Sequence, residues 1–208
     1  MIRPRRPWRS PRRPCRWPRP SLRVGSRGAE VGYLQGQLVN RGFWLFDTLG
    51  VFGQSTKHAV IAFQKTYGLP RTGVVEGWTR ISLAAFNDRP SPLVNNGGHA
   101  IEIDLRRQVL MISDAGVTRW VLDISSGKKS TPTPRGSFRL QREINGLRVS
   151  DLGTLWRPKY FTGGYALHGS PSVPNYAASH GCVRLTNQEI NFLWASGLAR
   201  VGTPVVLY

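Results

Sequence analysis

A chain of 208 residues has room for one large domain or two modest ones. Hydrophobic residues make up 40%, with seven Trp and eight Phe, too many for a chain disordered throughout. The formal net charge of +18 suggests a nucleic-acid binder only until it is located: residues 1–27 hold ten Arg and no acid, and the other 181 carry 19 Lys and Arg against 11 Asp and Glu.

The Arg- and Pro-rich segment 1–27 has no apolar periodicity and cannot bury enough surface to offset the entropy of ordering, so disorder is expected there. Basic tails bind nucleic acid or anionic surfaces. This one offers no groove-reading element or aromatic platform, so nucleic acid is not an expected partner. A start assigned upstream of the true one would account for the segment equally well. It holds no secretory apolar region, and no stretch of the chain is long and apolar enough to span a bilayer.

From Gly28 to Phe86 the period is helical. Val31, Leu34 and Leu38 share one helical face, as do Val60, Phe63 and Tyr67, and Trp78, Ile81 and Ala85. Gly50-Val51-Phe52-Gly53 and the run Gly68 to Gly73 separate them. Residues 28–86 therefore predict a three-helix bundle with a modest core, and 87–97, rich in Asn, Pro and Gly, a linker. From Gly98 onward the period changes: 99–105 alternates, and short apolar runs follow at 109–112, 120–124, 137–140 and 204–208. One helical segment, about Asn187 to Ser196, interrupts them. The expected fold is α+β and multidomain: a small helical bundle, then a mostly-β, sandwich-like domain over 98–208 with a helix after a Cys motif.

That motif carries the chemistry. Ser179-His180-Gly181-Cys182-Val183-Arg184 follows Leu167-His168-Gly169 after a short Gly/Pro/Ser-rich loop. Cysteine chemistry needs a thiolate, and a neighbouring imidazole supplies it by taking the proton. His168 ends an apolar run and precedes the loop, so a turn can return the chain beside it at Cys182. Backbone amides around Gly181 and Cys182 lead towards the helix and could stabilise an oxyanion. Arg184 sets a permanent cation near the thiol, suited to a substrate carboxylate. Cys15, in the basic tail, makes no plausible disulfide partner. Two blander readings stay open: a zinc site from His168, His180 and Cys182, for which two ligands separated by one Gly is poor spacing, and a structural His168 beside an inert thiol.

The run His168-Gly169, then Ser179 to Leu185, resembles the signature of the L,D-transpeptidase catalytic domain. Gly127 to Leu140 resembles that family's strand-entry loop, and Trp156-Arg157-Pro158 and Phe161 to Tyr165 are also similar, so the likeness covers about 98–208. Upstream, Leu34-Gln35, Gly42, Gly50-Val51-Phe52-Gly53, Phe63-Gln64, Gly68-Leu69 and Thr72-Gly73 resemble the peptidoglycan-binding three-helix domain.

The resemblance implies that Cys182 attacks a tetrapeptide stem before its terminal D-Ala, with His168 as base, and that an amine of a second stem resolves the thioester into a 3→3 cross-link. Resolution by water would make an L,D-carboxypeptidase. Gly169 or Ser170 would orient the imidazole, His180 and Gly181 would shape the oxyanion site, and Tyr165, Ser179 and Arg184 would contact substrate. No metal or other cofactor is implied. The implied partner is peptidoglycan, its stem peptides in the catalytic domain and its glycan on the helical one, in an extracytoplasmic setting. Two rivals are a papain-like wall endopeptidase, which places Cys before His, the reverse of the order here, and a non-catalytic wall-binding protein.

Overall fold

The computed structural model describes residues 20–93, 97–150 and 153–208. Three helices come first, α1 (Ala29–Asn40), α2 (Gln54–Thr66) and α3 (Gly77–Ala85). The strands β1 (Ala100–Asp104), β2 (Val109–Asp114), β3 (Val117–Asp123), β4 (Gly136–Arg139), β5 (Arg142–Glu143), β6 (Leu147–Ser150), β7 (Gly153–Thr162), β8 (Tyr165–Ser170) and β9 (Val183–Thr186) follow. Then come α4 (Asn187–Ser196) and β10 (Pro204–Leu207). None of the described helices is long and apolar enough to cross a membrane.

Two sheets face each other. One has the order β3-β2-β1-β10-β4; the other runs β5-β7-β8-β9, with β6 paired to β7. The apolar residues of β1 and β2 alternate into two cores, because successive side chains of a strand point to opposite faces. Ile101, Ile103, Leu110 and Ile112 meet Phe161, Leu167, Val183 and Leu185 between the sheets, joined by Ile190 and Leu193 of α4. Val109, Met111 and Val121 face outward and share a second core with Leu34, Leu38, Phe43 and Phe63 of the bundle. The helical bundle therefore packs directly on the outer face of the first sheet.

Two expectations need correcting. Leu22 is buried, its amide and carbonyl paired with those of Val75, and Gly25 donates to Phe52 O at 2.9 Å. The ladder and the apolar contact order residues 20–27 against the bundle, so the tail expected over 1–27 is too long; residues 1–19 lie outside the described residues. The third helical face is also out of phase. Trp78 and Ile81 are exposed and α3 buries Thr79, Ser82 and Leu83. The cause is Gln64, fully buried on α2, whose amide donates to Thr79 Oγ1 (3.0 Å), Val74 O (3.0 Å) and Thr72 Oγ1 (3.2 Å). A buried amide left without partners is expensive, so the polar face of α3 turns inward.

Ionised groups fasten bundle to sheet. Lys65 of α2, wholly buried, pairs with Asp123 of β3 and donates to Ile124 O at 2.7 Å. His58 Nδ1 lies 2.7 Å from the other Asp123 oxygen. Glu189 stands next to this cluster, and burial raises its carboxyl to about 7. On α4 it completes a capping box with Thr186, each bonding the other's backbone amide. The segment 87–93 is likewise tied down: Arg41 donates to Asn87 Oδ1 at 2.8 Å and Leu93 N to Glu102 at 2.9 Å.

Candidate active site

The parallel pairing of β8 with β9 sets Leu167 opposite Val183 and His168 opposite Arg184. Leu167, Val183 and Leu185 are fully buried between the sheets. By the two-residue period of a strand, His168, Arg184 and Cys182, one residue ahead of β9, face the other way. They line a cleft of about 660 Å³. Ser170, Ser179 and His180 share the cleft, with Arg142 and Arg148 from β5 and β6, and among the described residues no carboxylate lines it. Tyr165, Gly169 and Gly181, also expected at the site, are not among the residues that line it.

His168 is 5% exposed, and its Nδ1 lies 2.9 Å from Gly169 O. A carbonyl only accepts, so Nδ1 carries the proton and Nε2 keeps its lone pair. Burial lowers the imidazole to about 4, the Gly169 bond opposing and the Arg184 charge assisting. Burial pushes the Cys182 thiol up, against a bond from the Ala166 backbone and the charge of Arg184. Its Sγ sits 3.7 Å from Gly164 O. Near neutral pH the site therefore holds a thiol and a neutral imidazole rather than a preformed ion pair. Such a pair can pass a proton as the sulfur attacks a carbonyl, and three arginines nearby can receive an anionic substrate.

The turn that presents Cys182 is stapled by Ser179. Its Oγ accepts from Gly181 N at 3.0 Å and donates to Cys182 O at 2.5 Å. The Gly181 amide is thus engaged, and what this residue supplies is conformation: its φ is +118°, and a Cβ there would lie 2.5 Å from Tyr165 Cε1. Gly169 is as constrained by space, since a Cβ would meet Asn187 Oδ1 and Ile190 Cγ2 at 2.7 Å. The segment 125–133 forms a cradle beneath the turn. Ser125 exchanges backbone bonds with Arg184, Lys128 N donates to Ser179 O at 3.0 Å, and Thr133 Oγ1 to Gly181 O at 2.7 Å. Gly181→Ala is expected to slow acylation of Cys182 by about 100-fold, the loss typical of reacting groups displaced by about an ångström, with circular dichroism unchanged. Sequence reading missed Arg142 and Arg148, because single arginines in polar strands carry no local signal. Among the described residues no group of three His, Cys, Asp or Glu is placed to hold a metal ion.

Residues 98–207 match the L,D-transpeptidase catalytic domain, and residues 27–80 a peptidoglycan-binding domain. The chain belongs to the L,D-transpeptidase family. The crystal structure of an L,D-transpeptidase from Xylanimonas cellulosilytica is similar at a TM-score of 0.85 and 42% identity, covering 90% of this chain and 97% of that one. An L,D-transpeptidase from Stackebrandtia nassauensis, at 0.52 and 21%, covers 90% and 94% and shows the fold alone. A search of curated proteins gave no significant match. In this L,D-transpeptidase the cleft lies in the catalytic domain, and the peptidoglycan-binding domain packs beside it. That match supports peptidoglycan as the partner.

Proposed function

We propose that the protein is a cysteine-dependent L,D-transpeptidase that acts outside the cytoplasm on the tetrapeptide stems of peptidoglycan and forms 3→3 cross-links. The observation that carries this reading is the neutral pair at the cleft: a thiol at Cys182 and, on the adjacent strand, an imidazole with Nδ1 tied to Gly169 and its lone pair at Nε2. Arg142, Arg148 and Arg184 suit a donor stem that carries carboxylates.

In the first half-reaction Cys182 Sγ attacks the carbonyl before the terminal D-Ala while its proton passes to His168 Nε2. The amide C–N bond breaks, the leaving amine takes that proton, and a thioester remains. In the second, the side-chain amine of another stem attacks the thioester. His168 accepts the amine proton and returns it to the departing sulfur, so thiol and imidazole are restored. Water in place of the amine gives a tripeptide and an L,D-carboxypeptidase outcome. Incubation with tetrapeptide muropeptides, followed by mass spectrometry, tests the reading. Release of D-Ala with dimer formation supports it, and cleavage at any other bond without D-Ala release overturns it.

The resting charge state sets the pH dependence. An imidazole with its pKa near 4 stays unprotonated across the neutral and mildly acidic range, so kcat/KM for acylation should be flat from about pH 5 to 8 and fall as pH drops towards 4. Alkylation of free Cys182 by iodoacetamide, which needs the thiolate, should be slow at neutral pH and climb only above the usual thiol range. An acylation rate that halves near pH 6.5 would mean an imidazole exposed to solvent.

A further inference from the structure

The active-site cleft does not end at the catalytic domain. It shares Ser170 and Pro171 with a second depression of about 330 Å³, and Pro171 and Ser172 with a third of about 360 Å³; those two share Gln54, His58 and Val173. Together they make one groove that starts beside His168 and Cys182 and runs across the domain seam to Arg71. One wall is the segment 170–175. The other is the face of α2 carrying Gln54, Lys57 and His58, with Asn187 and Gln188 of α4 at its inner end.

The walls are held at a fixed separation. Arg71 Nη1 donates to Asn175 O at 3.0 Å, and Asn175 Nδ2 returns a bond to Arg71 O at 2.6 Å. Lys65 and His58, on the same helix as Lys57, are pinned to Asp123. The groove is therefore formed before any ligand arrives, and the ordering cost of binding is correspondingly small. Its chemistry is specific. Lys57 and Arg71 contribute positive charge, the exposed amides of Gln54, Asn187 and Gln188 offer donors and acceptors for peptide groups, and among the described residues no carboxylate lines it.

We propose that this groove is the acceptor subsite: it binds a second stem peptide, an anionic peptide bearing a free side-chain amine, with its carboxylates towards Lys57 and Arg71. The inference rests on the acyl-transfer reading above and adds where the attacking amine comes from. Proton bookkeeping favours this side of the thiol. The incoming amine must surrender its proton to His168 as its nitrogen forms the new amide bond and the thioester C–S bond breaks. The groove opens at Ser170, at the end of the strand that carries His168. An amine delivered from there meets the imidazole on its way to the carbonyl. The helical domain then supplies half of the acceptor site, and its presence decides whether the thioester is resolved by amine or by water.

The test is the partition of one acyl-enzyme. The full chain is incubated with disaccharide tetrapeptide carrying meso-diaminopimelic acid as its third residue, and the ratio of cross-linked dimer to tripeptide is measured by chromatography and mass spectrometry. The ratio is internal to each acyl-enzyme, so any general loss of folding or of thiol reactivity cancels. A carboxylate placed on either wall should repel the acceptor. Lys57→Glu and Gln188→Glu are each expected to lower the ratio about tenfold or more, while Lys57→Arg keeps it within about twofold of the parent. Ratios unchanged in both Glu variants, or a parent that releases D-Ala yet yields only tripeptide, overturn the acceptor subsite and leave the acyl-enzyme chemistry standing. A parent that releases no D-Ala overturns both.

Discussion

Cys182→Ala is expected to abolish D-Ala release from tetrapeptide muropeptides, a fall on the order of 10⁴-fold or more, because Cys182 is the one thiol among the described residues of the cleft and the hydroxyls of Ser170 and Ser179 are far weaker nucleophiles. The intact mass of the wild type should rise on exposure to a carbapenem, and that of the variant should not. His168→Gln removes the base but keeps the thiol, and a general base contributes about 10²- to 10⁴-fold. Burial holds the Cys182 proton on sulfur, so little thiolate exists without help. The His168→Gln enzyme should accordingly gain rate as pH rises, following the thiolate fraction, whereas the wild type changes little over the same range. Cys182→Ser separates the two roles further: its hydroxyl is far harder to deprotonate, so the buried imidazole cannot generate an alkoxide and activity should not return at high pH. A His168→Gln variant as fast as wild type at pH 7 would remove the imidazole from the mechanism.

Much of this was legible in the sequence because it depends on short-range spacing. The alternation Leu167/His168 and Cys182/Val183/Arg184 is enough to put thiol and imidazole on one face once the two segments pair, and the pairing itself follows from two apolar strand ends joined by a Pro- and Gly-rich loop. The Asn187 to Ser196 helix was equally visible, since Thr186 and Glu189 form a capping box in sequence as in space. What could not be read depends on distant partners. Trp78 and Ile81 look like the core face of α3 until Gln64, more than a turn away in another helix, claims Thr79. Leu22 looks like tail until Val75 supplies a strand partner. Arg142 and Arg148 reach the cleft only because β5 and β6 both pair with β7. The buried charges of the seam have no sequence signature at all: Lys65 adjoins Gln64 in a helix that also places Gln54, Lys57 and other polar residues outside the core, and Asp123 ends a strand 58 residues on.

That seam carries the largest expected effect on stability. Lys65 and Asp123 are both wholly buried, so their charges have lost hydration that only their mutual contact, His58 and the Ile124 carbonyl replace. Removing one partner of such a pair leaves the other uncompensated, and the loss is about 3–5 kcal/mol. Asp123→Ala should lower the unfolding free energy by that amount in urea titrations, with Lys65 deprotonated in the folded variant because burial already depresses it. Lys65→Met is milder, since His58 still faces Asp123. Burial lowers the His58 pKa, but the hydrogen bond and charge of Asp123 outweigh it, and the net shift is upward. A histidine whose folded pKa is raised stabilises fully below its unfolded value, near 6.5, and loses that contribution as pH climbs through the folded value. The stability of Lys65→Met should therefore decline more steeply than that of the parent as pH rises above about 6.5, because among the described residues His58 is then the cation left paired with Asp123. Replacing all three groups with apolar residues of similar volume should recover most of the loss, as buried ion pairs add little over good packing. An Asp123→Ala variant less than about 1 kcal/mol below wild type would mean that water reaches Lys65, and that the bundle is not locked to the sheet by this cluster.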